Sequence, residues 1–309
     1  MIKRYEHNPI LTPADMPAPC CAVYNSGVIK TASGEYIMAS RFEYPSKRQA
    51  AWVSRSTDGI HFVPDPEPMR FVCAPEQQEE YDSTCTTSPP QLGSWYDPRL
   101  NPLDGEFYVT YAVGGVSRCR IAIGRTEDFR VVHHVSFPLH IPNRNGVLFP
   151  ERINGEVWML HRPQNVDHSG DIWIASSPDW IHWGNCRIVA EREQYWEHEK
   201  IGPAAPPIRT DEGWLTVYHG VFPTCNGINY GAGVMLLDLE QPWRVVGRSE
   251  DPILFVQETY EMIGQVPNVV FPGAVIPEPD GHVKIYYGAA DYVQCLATAR
   301  LDDLIAMCH

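Results

Sequence analysis

The sequence predicts an all-β protein folded as a five-bladed β-propeller. A phrase of strand-like residues recurs five times along the 309 residues, and each copy begins with a turn that carries glycine. Aromatic and β-branched residues alternate with polar ones in these phrases, which is the pattern of β-strands. The chain also contains 28 prolines and few long amphipathic windows, and both features disfavour extensive helix.

The five copies keep one order of features: a glycine turn, a strand, a second apolar strand and a polar turn. In chain order they are SGEYIMASR with AAWVSRSTDGIHF, DGEFYVTYAVGG with RIAIGRTEDFRVV, NGEVWMLHRP with DIWIASSPDWIHW, EGWLTVYHGV with GAGVMLLDLEQPWRVV, and DGHVKIYYGAAD with CLATARLDDLIAM. The turn glycines are Gly34, Gly105, Gly155, Gly213 and Gly281. A unit this small cannot bury its own apolar face, so the units are expected to pack radially. A β-sandwich would also supply many strands, but it gives no reason for the repetition. We therefore expect one propeller domain over residues 1–309.

Composition argues against several classes of partner. The chain carries 24 Lys and Arg against 38 Asp and Glu, a formal charge of −14, and such a surface repels nucleic acid and anionic membranes. The first residues lack the apolar core of a signal peptide, and no apolar run reaches the length of a membrane span. Nine cysteines occur without a CxxC or HExxH spacing. We expect a cytoplasmic protein with reduced thiols and no metal site.

Polar residues occupy corresponding places in the repeats. They are Arg41 at the end of the first phrase, Asp97 before the second, His161 and Arg162 in the third, Tyr218 and His219 in the fourth, and Asp291 in the fifth. Loops from every blade of a propeller meet at one end of the central channel, so these residues are expected to converge there.

A group of cations that faces one carboxylate indicates a particular chemistry. Arginine binds phosphate through a planar fork of donors, and aromatic rings stack on the apolar face of a sugar. In glycoside cleavage one carboxylic acid protonates the leaving oxygen, and a second carboxylate is needed only to activate water or to attack. Because phosphate arrives already charged, it needs no second carboxylate. The residues therefore favour transfer of a glycosyl group to phosphate.

Longer motifs give a resemblance to a known family. They are YNSGVI at 24–29, YDPRL at 96–100, NRNGVLFPERINGEVWMLHRP at 143–163, KIGPAAPPIRTDEGWLTVYHGV at 200–221, CNGINYGAG at 225–233, VPNVVFPGAV at 266–275 and YYGAAD at 286–291. With them the whole chain resembles glycoside hydrolase family 130, the inverting β-mannoside phosphorylases. The resemblance implies a five-bladed propeller, a β-mannoside substrate, inorganic phosphate as co-substrate and no cofactor. It also implies a homo-oligomer, which the sequence itself leaves open.

The resemblance also implies roles for matching residues. Asp97 resembles the general acid, whose proton travels through a mannose hydroxyl in this family. The positions that resemble the phosphate site are Arg144, Asn145, Arg162, Lys200, His219 and Tyr230. Mannose would contact Asn25, Ser26, Arg41, Lys47 and Arg48, while Tyr96, His168 and Asp291 would face the leaving sugar. Arg152 has no such role and is expected to pair with Glu151.

Three alternatives stay open. Some family members cleave β-1,2-mannosides with water, but they lack the cationic phosphate residues that are present here. A non-catalytic sugar-binding propeller would keep the aromatic residues and have no use for Asp97. The acceptor is the third question: the motifs NRNGVLFP and TCNG resemble the branch acting on β-1,4-mannosyl-N-acetylglucosamine or β-1,4-mannooligosaccharides, and β-1,2-mannosides and mannosyl-hexoses are the alternatives. Phe42, Glu43 and Tyr44 depart from relatives beside the expected mannose contacts, so no single relative's substrate is transferred.

Overall fold

Five β-sheets surround a central channel in the computed structural model, which describes residues 2–80, 95–114, 119–139 and 142–309. Each sheet is one blade, and its first long strand lies innermost, against the inner strands of its neighbours. The prediction of a five-bladed β-propeller is confirmed.

The strands are numbered in chain order, beginning with β1 (Lys3–Arg4). The first blade contains β2 (Ala22–Lys30), β3 (Tyr36–Glu43), β4 (Gln49–Ser56) and β5 (Val63–Pro64). The second contains β6 (Arg70–Val72), β7 (Trp95–Leu103), β8 (Glu106–Val113), β9 (Arg120–Thr126) and β10 (Val131–Ser136). The third contains β11 (Asn143–Leu148), β12 (Val157–Pro163), β13 (Ile172–Ser177) and β14 (Gly184–Ala190). The fourth contains β15 (Lys200–Pro203), β16 (Ile208–Arg209), β17 (Trp214–Thr224), β18 (Gly227–Leu237) and β19 (Val245–Arg248). The fifth contains β20 (Val270–Pro277), β21 (His282–Ala289) and β22 (Val293–Arg300).

The helices that lie wholly within the described residues are short. Two 3₁₀ turns span Pro13–Asp15 and Pro75–Gln77, and the α-helices are α1 (Thr259–Met262) and α2 (Leu301–Ala306). Residues 78–80 are also helical. In the described part of the chain, no helix has the length and apolar character needed to cross a membrane.

The repeat phrase corresponds to the second and third strands of each blade. Its glycine lies in the turn that follows the innermost strand, and all five turn glycines have positive φ, from 79° at Gly105 to 152° at Gly213. Such angles are accessible to glycine without steric cost. The innermost strands, which precede the phrase, were not recognised as part of the repeat.

The core consists of five large apolar clusters, and each one joins two neighbouring blades. Tyr108 of the second blade stacks on Trp180 of the third, with ring centroids 3.9 Å apart. Phe149 of the third blade meets Trp214 of the fourth edge-on at 5.2 Å. Because apolar burial is the main favourable term in folding, each blade depends on its neighbours, as the repeat predicted.

The ring is closed by a strand from the beginning of the chain. β1 pairs antiparallel with β22, so that Arg4 lies opposite Ala297. Arg4 Nε also donates to Oε1 of the fully buried Glu261 at 2.7 Å. The fifth blade therefore contains both ends of the described chain. A two-residue strand carries too little pattern to be predicted.

A bulge interrupts the innermost strand in four of the five blades. The register shifts lie between Tyr24 and Gly27, Tyr96 and Arg99, Arg144 and Val147, and Pro272 and Ala274. Three of these bulges place Asn25, Asp97 and Asn145 at φ of 51°, 52° and 58°. Asn and Asp tolerate this left-handed conformation better than other side chains. A bulge re-aims a side chain, and here the repeated bulge turns these polar groups toward one end of the channel.

Candidate active site

A pocket at the mouth of the channel receives side chains from all five blades. Its lining consists of Asn25, Arg41, Asp97, Arg144, Asn145, Arg162, His219, Tyr230, Phe271 and Asp291. All of these except Phe271 were predicted from the sequence. The strand positions explain the convergence: Arg41 lies opposite Tyr24 and Arg162 opposite Arg144, beside the bulges of the inner strands.

One side of the pocket is built around Asp97. Asn25 Nδ2 donates to Asp97 Oδ1 at 3.1 Å, and Arg41 Nη1 lies 3.5 Å from the same oxygen. The Arg41 guanidinium stands 4.9 Å from the ring of Tyr24 and 5.0 Å from that of Tyr96. The Asp97 side chain is 16% exposed. Asp97 is therefore oriented by one hydrogen bond and one ion pair, and its side chain is still open to the pocket.

Asp291 is a second carboxyl group in the same pocket. It lies at φ 48° in the turn between β21 and β22. Burial raises the pKa of Asp291 to about 7, against the opposing charge of Arg41, and the charges of Asp97 and Glu43 add to the rise. Near neutral pH this group can hold a proton and donate a hydrogen bond.

The raised pKa of Asp291 predicts a pH-dependent stability. Between pH 4 and 7 the unfolded chain has an ionised aspartate whereas the folded protein keeps the proton, so the folded state binds more protons and its stability falls as pH rises. Asp291→Asn should lack this fall. Chemical unfolding at a series of pH values is expected to show the stability of wild type, relative to the variant, declining across that window and levelling above it.

Asp302→Asn provides the matched control, because Asp302 is 78% exposed. The difference in stability between wild type and Asp302→Asn is expected not to fall as the pH rises from 4 to 7. A difference between wild type and Asp291→Asn that stayed constant from pH 4 to 7 would contradict the prediction.

The opposite side of the pocket is cationic. Arg162 is 6% exposed, and no carboxylate of the described chain forms a salt bridge with it. Burial lowers the pKa of Arg162 to about 10, with Tyr230 opposing and Arg144 reinforcing the shift. Lys200 is not among the lining residues; its Nζ lies 3.2 Å from Glu199 Oε1 and 5.9 Å from the ring of Tyr230, which does line the pocket. Burial also lowers the pKa of Lys200, and the charge of Arg162 contributes. This half of the pocket is suited to an anion.

His219 connects the cations to the pocket as a neutral group. Arg162 Nη1 contacts His219 Nε2 at 3.0 Å, and since arginine only donates, Nε2 accepts and the proton is on Nδ1. Burial lowers the pKa of His219 well below its ordinary value, and the charges of Arg162, Lys200 and Arg99 reinforce the shift. A Cβ at Gly202 would lie 2.6 Å from His219 Cε1, so this position needs glycine. No residue that the structure describes accepts a hydrogen bond from this Nδ1–H.

Two of the predicted contacts lie behind the pocket wall. Ser26 is fully buried, with Oγ 2.7 Å from Ser40 Oγ and 2.8 Å from Gln294 Oε1. Tyr96 is 7% exposed and donates through its hydroxyl to Cys119 Sγ at 2.9 Å. Both residues support the bulges rather than line the pocket.

Three other predicted contacts lie on exposed loops outside the lining. Lys47 Nζ is 3.8 Å from Glu43 Oε1, and Arg48 is exposed beside it. His168 Nδ1 contacts Gln164 Nε2 at 2.5 Å. These loops follow the strands that carry Arg41 and Arg162 and therefore lie at the same end of the propeller as the pocket.

The expected partner of Arg152 was wrong. Arg152 Nε donates to Asp104 Oδ2 of the second blade at 2.8 Å, while Glu151 pairs with Arg209 of the fourth. Both residues lie in the connection between β11 and β12, and their side chains reach different adjacent blades.

Phe271 was missed as a lining residue. Its ring lies 4.6 Å from that of His219 and 6.3 Å from that of Tyr230. Phe271 lies in β20, one residue before Pro272, where the register shift of the fifth blade begins. The sequence analysis contained it only as part of the motif VPNVVFPGAV.

The segment that departs from relatives is mostly core. Phe42 is fully buried and packs against Trp52 with ring centroids 4.7 Å apart. Glu43 is 6% exposed, and the ring of Tyr44 meets Phe42 edge-on. None of the three lines the pocket.

Among the residues that the structure describes, no group of three or more His, Cys, Asp or Glu side chains is arranged to hold a metal ion.

Comparison with known proteins agrees with this geometry. The profile of a family described as β-1,4-mannooligosaccharide phosphorylase matches residues 3–309. The chain belongs to glycoside hydrolase family 130. A family 130 relative, the β-1,4-mannooligosaccharide phosphorylase of Ruminococcus albus, is 35% identical over 99% of this chain and 90% of its own length. The 1,2-β-oligomannan phosphorylase of a Thermoanaerobacter species is 31% identical over 98% of both chains.

Solved structures share the fold over nearly the whole chain. The β-1,2-mannobiose phosphorylase of Listeria innocua, in complex with β-1,2-mannobiose, superimposes with a TM-score of 0.84 at 25% identity and covers 99% of both chains. A glycosyl hydrolase of Bacteroides ovatus gives 0.81 at 19% identity, covering 98% of this chain and 94% of its own. Membership of family 130 confirms the predicted class of enzyme, a mannoside phosphorylase that transfers a glycosyl group to phosphate.

Proposed function

We propose that this chain catalyses the inverting phosphorolysis of β-1,4-mannosides, either β-1,4-mannosyl-N-acetylglucosamine or β-1,4-mannooligosaccharides, to α-mannose 1-phosphate and the shortened sugar. The arrangement of the pocket supports the proposal most strongly. Asp97, held by Asn25 and Arg41, faces a group of buried cations across one cavity. The family description and the Ruminococcus albus relative support the 1,4 linkage.

Phosphate binds on the cationic side. Arg162 is buried and forms no salt bridge with a carboxylate of the described chain. A cation in that situation is costly to bury, and a phosphate dianion supplies the missing charge through charge-assisted hydrogen bonds. Arg144, Arg162 and Lys200 provide positive charge there, while His219 Nδ1–H and the Tyr230 hydroxyl provide neutral donors. Asn145 completes this set from its bulge.

The sugar binds between phosphate and Asp97. Mannose contacts Asn25 and Arg41, and Asp291 faces the leaving sugar. Phosphate attacks the anomeric carbon from the face opposite the leaving oxygen, which inverts the configuration. Asp97 supplies the proton to that oxygen through a mannose hydroxyl. Asn25 occupies Oδ1 of Asp97, which leaves Oδ2 to carry the proton.

The acceptor sugar extends toward the exposed loops at the rim. Lys47, Arg48 and His168 lie on loops that continue from the strands of Arg41 and Arg162. Lys47 and Arg48 reach mannose from one side, and His168 reaches the leaving sugar from another. The second candidate substrate is a β-1,2-mannoside, since phosphorylases with that linkage are also similar over nearly the whole chain.

Phosphate dependence tests the proposed reaction. Purified protein with β-1,4-mannobiose should release mannose 1-phosphate in phosphate buffer and little sugar in sulfate buffer of equal ionic strength. Proton NMR taken early in the reaction should show the α anomer. In the reverse, synthetic reaction, mannose 1-phosphate should release phosphate when N-acetylglucosamine or mannose is the acceptor sugar. Free mannose formed at full rate without phosphate would contradict phosphorolysis, and turnover confined to β-1,2-mannosides would contradict the linkage.

A further inference from the structure

A buried arginine outside the active-site lining contacts two of the residues that line the pocket, Asn25 and Phe271. Arg99 follows the bulge of β7 and is 1% exposed. Its hydrogen bonds to the described residues go to backbone carbonyls: Nε donates to Ala204 O at 2.6 Å, and Nη1 donates to Asn25 O at 3.2 Å and to Pro98 O at 3.1 Å. The guanidinium also lies 5.6 Å from the ring of Phe271. Arg99 thus contacts four of the five blades.

The carbonyls that Arg99 binds belong to the segments that carry the reacting groups. Asn25 O and Pro98 O lie in the bulges of the first and second blades, where Asn25 and Asp97 adopt left-handed backbone angles. One guanidinium nitrogen therefore ties the two bulges together near the 3.1 Å contact between Asn25 Nδ2 and Asp97 Oδ1. Gly27 permits the close approach, because a Cβ there would lie 2.7 Å from Arg99 Cα.

Burial lowers the pKa of Arg99 to about 10, and the charge of Asp97 opposes the shift. No carboxylate of the described chain forms a hydrogen bond with Arg99, and its buried Nη2 has no partner. Hydrogen bonds from a charged donor to a carbonyl are stronger than those from a neutral donor, which favours a guanidinium at position 99. An apolar side chain could hold the blades together by packing alone. A buried cation near an anion site also contributes positive electrostatic potential to that site.

We propose that Arg99 is a positioning residue for the proposed reaction, which fixes the Asn25–Asp97 pair through the carbonyls of the two bulges and adds positive charge near the phosphate site. The inference rests on the proposed roles of Asp97 and the cations. Arg99 does not touch the substrate and acts through other groups.

Two substitutions separate geometry from charge. Arg99→Lys keeps the charge but replaces the planar fork by a point donor, whereas Arg99→Met removes both. We expect Arg99→Lys to lower kcat about 10–100-fold, since small misplacements of reacting groups have effects of this size, with little change in KM for phosphate. Arg99→Met should in addition raise KM for phosphate. Arg248→Lys is the matched control, because Arg248 is equally engaged in a buried network, with Glu197 and Tyr218, away from the pocket.

The test of the mechanism is a double-mutant cycle between Arg99→Lys and Asn25→Ala, measured on the β-mannoside that wild type cleaves fastest. If Arg99 acts through the Asn25–Asp97 pair, the losses in kcat should be non-additive, and the double variant should resemble the worse single variant. Arg248→Lys should keep wild-type kcat and combine additively with Asn25→Ala. Thermal unfolding of each variant confirms that it is folded.

Two results would overturn the inference: folded Arg99→Lys with kcat close to wild type, or additive losses in the cycle. Either would leave the proposed function standing, since phosphate dependence and the product are measured separately on wild type. Conversely, cleavage by water would refute phosphorolysis but leave the cycle interpretable, because a general acid serves both reactions.

Discussion

Asp97→Asn is expected to lower kcat for phosphorolysis of a β-1,4-mannoside by about 10²–10⁴-fold, the usual contribution of a positioned general acid. The substitution is nearly isosteric, asparagine tolerates the left-handed φ of 52° at this position, and its amide oxygen can still accept from Asn25. The change therefore removes the proton and leaves the geometry. Steady-state release of mannose 1-phosphate, with KM for both substrates, measures the effect.

A leaving-group comparison refines this prediction. A nitrophenyl β-mannoside needs little protonation of its leaving oxygen, so Asp97→Asn should lose much less activity on an aryl mannoside than on the disaccharide. Asp104→Asn, in the surface turn of the same blade where it pairs with Arg152, is the control and should keep wild-type kcat. Asp97→Asn with near-normal turnover of the disaccharide would remove Asp97 from the role of acid.

Arg162→Met is expected to lower kcat/KM for phosphate by about 10²–10³-fold, the effect of losing one preorganised donor to an oxyanion. Arg162 is the most enclosed cation that lines the pocket and also donates to His219. The substitution removes the positive charge that pairs with phosphate. It also removes the hydrogen bond that orients the His219 imidazole. Initial rates over a range of phosphate concentrations at saturating mannoside provide the measurement.

Arg162→Met is also expected to change how the stability of the protein responds to phosphate. Because Arg162 has no carboxylate partner in the described chain, replacing it by an apolar side chain of similar length should leave the phosphate-free protein as stable as wild type or more stable. Phosphate should raise the melting temperature of wild type by mass action and have little effect on Arg162→Met. Arg209→Met, at an arginine that is 58% exposed, should respond to phosphate as wild type does. An equal phosphate response in Arg162→Met would place phosphate elsewhere.

Much of the fold could be predicted because its signals are local. Glycine turns, alternating strands and polar stops lie within a few residues of one another, and each copy predicts the same hairpin. The five matched copies then indicated radial packing. The closing strand β1 could not be predicted, since its two residues gain their partner only across the whole chain, opposite Thr298 and Ala297.

The residues of the candidate site were also predicted only in part. The sequence identified most of the residues that line the pocket, because the motifs contain most of them. It placed Ser26 and Tyr96 in contact with sugar, whereas the structure buries both behind the lining. It also missed Phe271 and Arg99, although the motifs VPNVVFPGAV and YDPRL contain them.

The sequence by itself determined the strand pattern, the five repeats and the chemical groups available to the reaction. Only the tertiary structure decided which groups face the pocket, which ones support it from behind, and which ion pairs form. Arg162 and Arg152 illustrate the reason: they lie ten residues apart in one blade, yet one is buried against His219 and the other pairs with Asp104. Burial and charge pairing depend on neighbours supplied by other blades, and no local pattern specifies those neighbours.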